Sequence, residues 1–150
     1  MAIGQSKLHE MMRRRLLLSE SLVWVNTFDS NLKLKILDWI RDDQLTQRGV
    51  DSDGDIIGLY SLTTSFINPR KSFNTHFTLN DTGDFYRSMF VKVFLDRILI
   101  DANSNSFSEM TQQEWFTDKI LGLTDGNIEL LRIEVKKGYT EAIRKALLRD

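Results

Sequence analysis

Apolar residues return every three or four positions at Leu8, Met11, Met12, Leu16, Leu18, Leu22 and Val25, a spacing that predicts a helix over residues 5–27. Asp29 or Ser30 then caps a second helix, which runs through Leu32, Ile36, Trp39 and Ile40 toward Leu45 and stops near Gly49. A polar loop follows at Asp51-Ser52-Asp53-Gly54-Asp55. Residues 56–62 form a short apolar stretch, and 63–80, which hold the only proline, Pro69, read as an extended loop. The clearest strand pattern is Met89 to Leu95, a turn at Asp96-Arg97, and Ile98 to Ile100, which together predict a hairpin. Residues 101–118 are polar and read as irregular. Thr124 and Asp125 cap a last helix over roughly 125–148, with an apolar stripe at Leu131, Val135, Tyr139, Ala142, Ile143 and Ala146.

This order predicts an α+β fold with N-terminal helices, a small antiparallel sheet built on a central hairpin, and a long C-terminal helix. No repeat, linker or low-complexity tract interrupts the chain. Residues 1–150 are therefore expected to form one domain, with 1–28 as a helical extension and 29–150 as the core.

Composition changes that picture little. At 150 residues, 41% hydrophobic and 27% charged, the chain has the makeup of a globular domain rather than a disordered one. The net charge of −1 gives no global sign of an affinity for nucleic acid or anionic membranes. The middle is mildly acidic, with five Lys/Arg against eight Asp/Glu over residues 51–110. The absence of cysteine removes disulfides and thiol chemistry, and two histidines leave no multi-histidine metal site. Arg13-Arg14-Arg15 precede only Leu16-Leu17-Leu18, too short for a secretory core, so synthesis in the cytoplasm is expected.

Fragments that suggest catalysis fail on their chemistry. His9-Glu10 begins a zinc-protease motif, but Arg13 stands where the second imidazole must be. The Asp51–Asp55 loop has its glycine at the fourth position and Leu62 at the twelfth, where a calcium loop needs the sixth and a bidentate glutamate. His76, Asp81 and Ser88 are close in sequence but lack a nucleophile elbow, and no glycine-rich phosphate motif occurs. The reading is of a non-enzyme with no cofactor and no metal. Arg13, Arg14 and Arg15 are candidate contacts for acidic partners, and Trp115, in a polar stretch, is a candidate interface anchor.

Three blocks carry a family resemblance. The first runs from Gln44-Leu45 to Gly49, through the Asp53-Gly54 turn, to Tyr60-Ser61 and Thr64; the second is Thr82-Gly83-Asp84-Phe85-Tyr86-Arg87-Ser88-Met89; the third is Ile120-Leu121-Gly122-Leu123-Thr124. In order and spacing they resemble the virion-morphogenesis, or tail-completion, family of phages, typified by phage Mu. The lambdoid head–tail joining proteins share the layout. The run Asp81 to Tyr86 also resembles chains from phages and prophages of Bacteroides-like hosts. Ile56-Ile57 stand where the family has a tryptophan, and Asp118-Lys119 replace its Arg-Pro. The resemblance implies a structural subunit of a ring at the head–tail neck or upper tail of a virion. Its partners would be copies of itself and neighbouring neck, connector or tail proteins, with neither membrane nor specific nucleic-acid binding, though DNA would pass through the ring. The second block then reads as a fold signature: Thr82-Gly83 make a turn, Phe85 and Met89 face the core, and Ser88 bonds local backbone. Two other classes fit the residues: a small module that inhibits a host protein, and, if the acidic loop held metal, a hydrolase.

Overall fold

A computed structural model describes residues 20–103 and 112–148. The predicted helix over 5–19, the arginine triplet 13–15 and part of the stretch 101–118 lie outside the described residues. Helix α1 (Glu20–Thr27) is followed at once by α2 (Ser30–Asp38). The break falls where Asp29 leaves helical geometry and its carboxylate accepts from Leu32 N at 2.8 Å, satisfying a donor that the first turn leaves free.

The second helix does not continue as an α-helix to Leu45, as its apolar spacing predicts. It widens into a π-helical segment, Trp39–Arg48, in which residues five apart become neighbours. Thr46 Oγ1 donates to Arg41 O at 2.7 Å and Arg48 pairs with Asp43, both contacts spanning five residues. Gly49, in the left-handed region at φ 62°, ends the segment and returns its N–H to Gln44 O.

The next expectation also needs correcting. Residues 63–80 are not one extended loop: α3 (Leu62–Ile67) forms there, with Ser61 Oγ accepting from Thr64 N at 3.2 Å as its cap. The flanks of α3 pair with each other, Tyr60 N with Thr75 O at 2.8 Å and Phe77 N with Gly58 O at 2.8 Å. Residues 58–77 are thus an excursion closed at its base.

Helix α4 (Asp84–Ser88) leads directly into the hairpin of β1 (Met89–Val93) and β2 (Ile98–Ala102), antiparallel with Met89 opposite Ala102 and Val93 opposite Ile98. This is the expected hairpin with different bounds: β1 ends at Val93 and not at Leu95, so the connection has four residues and not two, closed by Phe94 N to Arg97 O at 2.8 Å, and β2 runs on to Ala102. After residue 111 a short 3₁₀ turn (Asp118–Leu121) leads into α5 (Asp125–Leu148). The fold is α+β, as the pattern predicts.

The core forms where α2, the π segment and the 3₁₀ turn meet the hairpin. Ile36, Ile40, Leu45 and Ile120 are fully buried there, beside Phe28, Phe85, Met89 and Leu123. Each such side chain contributes roughly 1.5–3 kcal/mol of burial. Helix α5 lies along α1, with Gly138 close against Thr27, and is tied to α2 by Lys35 and Glu134 at 2.9 Å. That lysine holds the Glu134 carboxyl below its usual range. The Trp24 indole donates to Phe94 O at 2.9 Å and fastens α1 to the hairpin turn. Among the described residues, no helix is long and apolar enough to cross a membrane.

Candidate assembly surface

The first and third sequence blocks meet through one buried amide. Gln44, fully buried on the π segment, donates from Nε2 to Gly122 O at 2.9 Å. Its Oε1 accepts from Thr124 N and from Asn127 Nδ2, each at 2.9 Å. The first block is thereby joined to the third, 78–83 residues away, just where α5 begins. A buried amide with all these partners fixes the angle at which the long helix leaves the core. Asn127 also donates to Asp43 at 3.0 Å, so the network reaches the Asp43–Arg48 pair at the surface.

The acidic loop closes on the same place. Asp51 Oδ1 accepts from the backbone N–H groups of Asp53 and Asp55, at 2.9 and 3.1 Å, which folds the loop onto its own first carboxylate. Ser52 N donates to Lys119 O at 2.9 Å, and Lys119 pairs with Asp53. The Asp53 carboxylate raises the Lys119 pKa, first by hydrogen bonding and then by charge. Asp51 is thus turned onto its own loop and Asp53 onto a lysine; Gly54 sits exposed at the tip. Among the described residues no group of three or more His, Asp or Glu side chains is arranged to hold a metal ion.

The second block is a turn, a short helix and a strand start. Gly83 precedes α4 at φ 80°, Thr82 Oγ1 donates to Asp84, and Arg87 pairs with Asp84. The Thr82 hydroxyl, then Arg87, hold the Asp84 carboxyl below its usual range. Phe85 and Met89 are buried, and Ser88 Oγ donates to Phe85 O at 2.8 Å. His76 engages Thr46 O, and Asp81 pairs with Lys71, so Ser88, His76 and Asp81 each face a different partner.

An aromatic chain anchors the excursion. Tyr60, Phe77, Trp115, Phe116 and Phe85 follow one another with ring centroids 4.9, 5.3, 6.1 and 5.6 Å apart. Trp115, a candidate anchor for partners, is half-buried in this chain and packs against the core. Phe77 lies on the backbone of Gly58, where a Cβ would come within 2.4 Å of its ring, so this position needs glycine.

Beyond that anchor the excursion carries apolar side chains into solvent. Phe66 is 79% and Ile67 80% exposed at the end of α3, with Leu62, Phe73, Leu59 and Ile56 also exposed. Six large apolar residues within eighteen positions are thus exposed, and Phe66 and Ile67 stand side by side at the end of α3 as its apolar edge. Ser61 and Thr64, singled out in the sequence, cap the helix that displays it, and Tyr60 roots it. Phe66, Ile67 and Phe73 were not singled out by the sequence reading; the Ser61-x-x-Thr64 cap ahead of Phe66 was the available signal.

No protein-family model matches the chain, and searches of curated proteins and of solved structures also give no match.

Proposed function

We propose that this protein is a structural subunit of a closed ring at the head–tail neck or upper tail of a bacteriophage, and not an enzyme. The observation that carries the reading is the apolar edge of α3, where Phe66 and Ile67 stand about four-fifths exposed on a helix whose flanks pair with each other at its base. Apolar side chains held out on a fixed support gain free energy only when a neighbour covers them. A head-to-tail contact of this edge with a different face of the next copy repeats by rotation and closes into a ring. The three sequence blocks carry the family resemblance in order and spacing, and the first and third are joined through the buried Gln44. Near-neutral charge suits a subunit that lines a passage for DNA without holding it.

Light scattering after size exclusion, over a concentration series, tests this. The native chain should climb from 17.5 kDa toward a multiple of that mass, and the double variant Phe66→Ser, Ile67→Ser should stay at 17.5 kDa with an unchanged circular dichroism spectrum. A native chain that remains at 17.5 kDa throughout removes the basis of the proposal.

A further inference from the structure

The excursion also borders a cleft. It has a volume of about 410 Å³ and opens between the returning strand of the excursion and the π segment, and every side chain lining it is polar. Arg70, Lys71, Tyr60, His76 and Asp81 define its chemistry. The Arg70 guanidinium has no hydrogen-bond or ion-pair partner among the described residues. The Lys71 side chain is half-buried, 24% exposed, and its ammonium lies 5.6 Å from the centre of the Tyr60 ring. Its partner is Asp81 at 3.0 Å, which is itself 67% exposed. The Tyr60 hydroxyl accepts from Thr78 N at 3.3 Å, which leaves its own hydrogen for an acceptor in the cleft or for Thr78 Oγ1 at 3.5 Å.

The backbone around the cleft carries a separate mark. The two non-glycine residues of positive φ among the described residues are Asn74, at 61°, beside the lining Thr75, and Leu79, at 56°, between the lining Thr78 and Asn80. Asparagine tolerates this geometry; a buried leucine does not adopt it without cost. Such strain concentrates at ligand sites, and π-helical turns, here the one supplying Thr46, do so as well.

We infer that this cleft is a binding site for a single phosphate group, as inorganic phosphate or a small phosphate monoester, in which Asp81 serves as a displaceable counter-ion of Lys71. The donors fit the ligand: an unpaired guanidinium, an ammonium with N–H groups to spare and a phenol hydrogen can surround an oxyanion that offers many acceptor sites. Asp81 is the only acid in the lining among the described residues. Being mostly in water, it loses little when a better-placed anion takes Lys71 from it. This inference stands apart from the ring reading and survives its failure.

The test is a titration of the full chain with inorganic phosphate, followed by amide NMR shifts against sodium chloride at matched ionic strength. Saturable shifts at residues 70–81 are expected. Arg70→Gln should weaken binding roughly tenfold, the loss of one charge-assisted contact. Asp81→Asn should tighten it severalfold, whereas Asp96→Asn, which removes the same charge from the hairpin turn, should change it little. Three results overturn the inference: no saturable shift beyond that of chloride, equal tightening by Asp81→Asn and Asp96→Asn, or binding unaltered by Arg70→Gln. A short DNA duplex that competes at far lower concentration than phosphate also overturns it, in favour of a polymer-backbone surface. Arg70 is exposed, so its variant should fold, and the spectrum of the free protein verifies that.

Discussion

Replacing Gln44 with leucine should cost this protein a large part of its stability while leaving its core volume nearly unchanged. The amide makes three hydrogen bonds at 2.9 Å, and in the variant Gly122 O and Thr124 N lose their side-chain partner in a buried place. Asn127 keeps one bond, to Asp43. At about 1 kcal/mol for each bond lost, the change costs about 3 kcal/mol, with leucine's own burial offsetting part of any further desolvation penalty. A chain of this size has roughly 5–15 kcal/mol in all. Thermal melting should therefore fall by about 9 °C, at roughly 3 °C per kcal/mol for this length. Urea unfolding followed by tryptophan fluorescence gives the free energy directly, since Trp24, Trp39 and Trp115 all pack on the core. Adding Asn127→Ala to the variant should cost less than its effect in the native chain, because one of its two bonds is already gone. A loss below about 1 kcal/mol, or strict additivity of the two substitutions, would refute the claim that this amide joins the π segment to the start of α5.

Alkaline pH should weaken the fold through Tyr86. Burial pushes its phenol up to about 12, and it donates to Thr78 O. The folded chain holds the proton more tightly than the unfolded one, so this stabilisation is complete below pH 10 and is lost as pH rises toward 12. Discounted for partial solvent access, the loss is about 1–2 kcal/mol. Tyr86→Phe should flatten that step in urea titrations at pH 9 to 11.5, and a step of unchanged size in the variant would assign it elsewhere. Gly58→Ala should displace the Phe77 ring and cost about 1–3 kcal/mol as overpacking, with altered near-ultraviolet circular dichroism. Native melting and an unaltered aromatic signal in that variant would show that the ring yields freely.

Local signals were the legible ones. Asp29 announced a helix start, Gly49 a helix end, and alternation from Met89 to Ile100 a hairpin, because each depends on neighbours in the chain. The π segment was not legible: over ten residues its period departs too little from an α-helix to shift which apolar positions turn inward. Helix α3 was hidden because Thr63, Thr64 and Ser65 favour turns and Pro69 follows closely, so the Ser61 cap was outweighed. Gln44 entered the sequence analysis only as part of a motif, and its place in the core was hidden because its partners lie some eighty residues away. The apolar edge was harder still. Leu62 fell in a short apolar stretch and Phe66 and Ile67 in a segment that read as loop, and only the tertiary arrangement shows that all three stand uncovered. Trp115 erred the other way, its polar surroundings concealing the aromatic chain that holds it.

Native mass spectrometry of the full-length chain is the most direct measurement of the central claim, because it counts copies. A closed ring built by head-to-tail contacts gives one dominant species with a fixed number of subunits, greater than two, which does not grow as concentration rises. That species, abolished by Phe66→Ser with Ile67→Ser, is the predicted result. Monomer at 17.5 kDa alone, or a dimer that resists those substitutions, would contradict it.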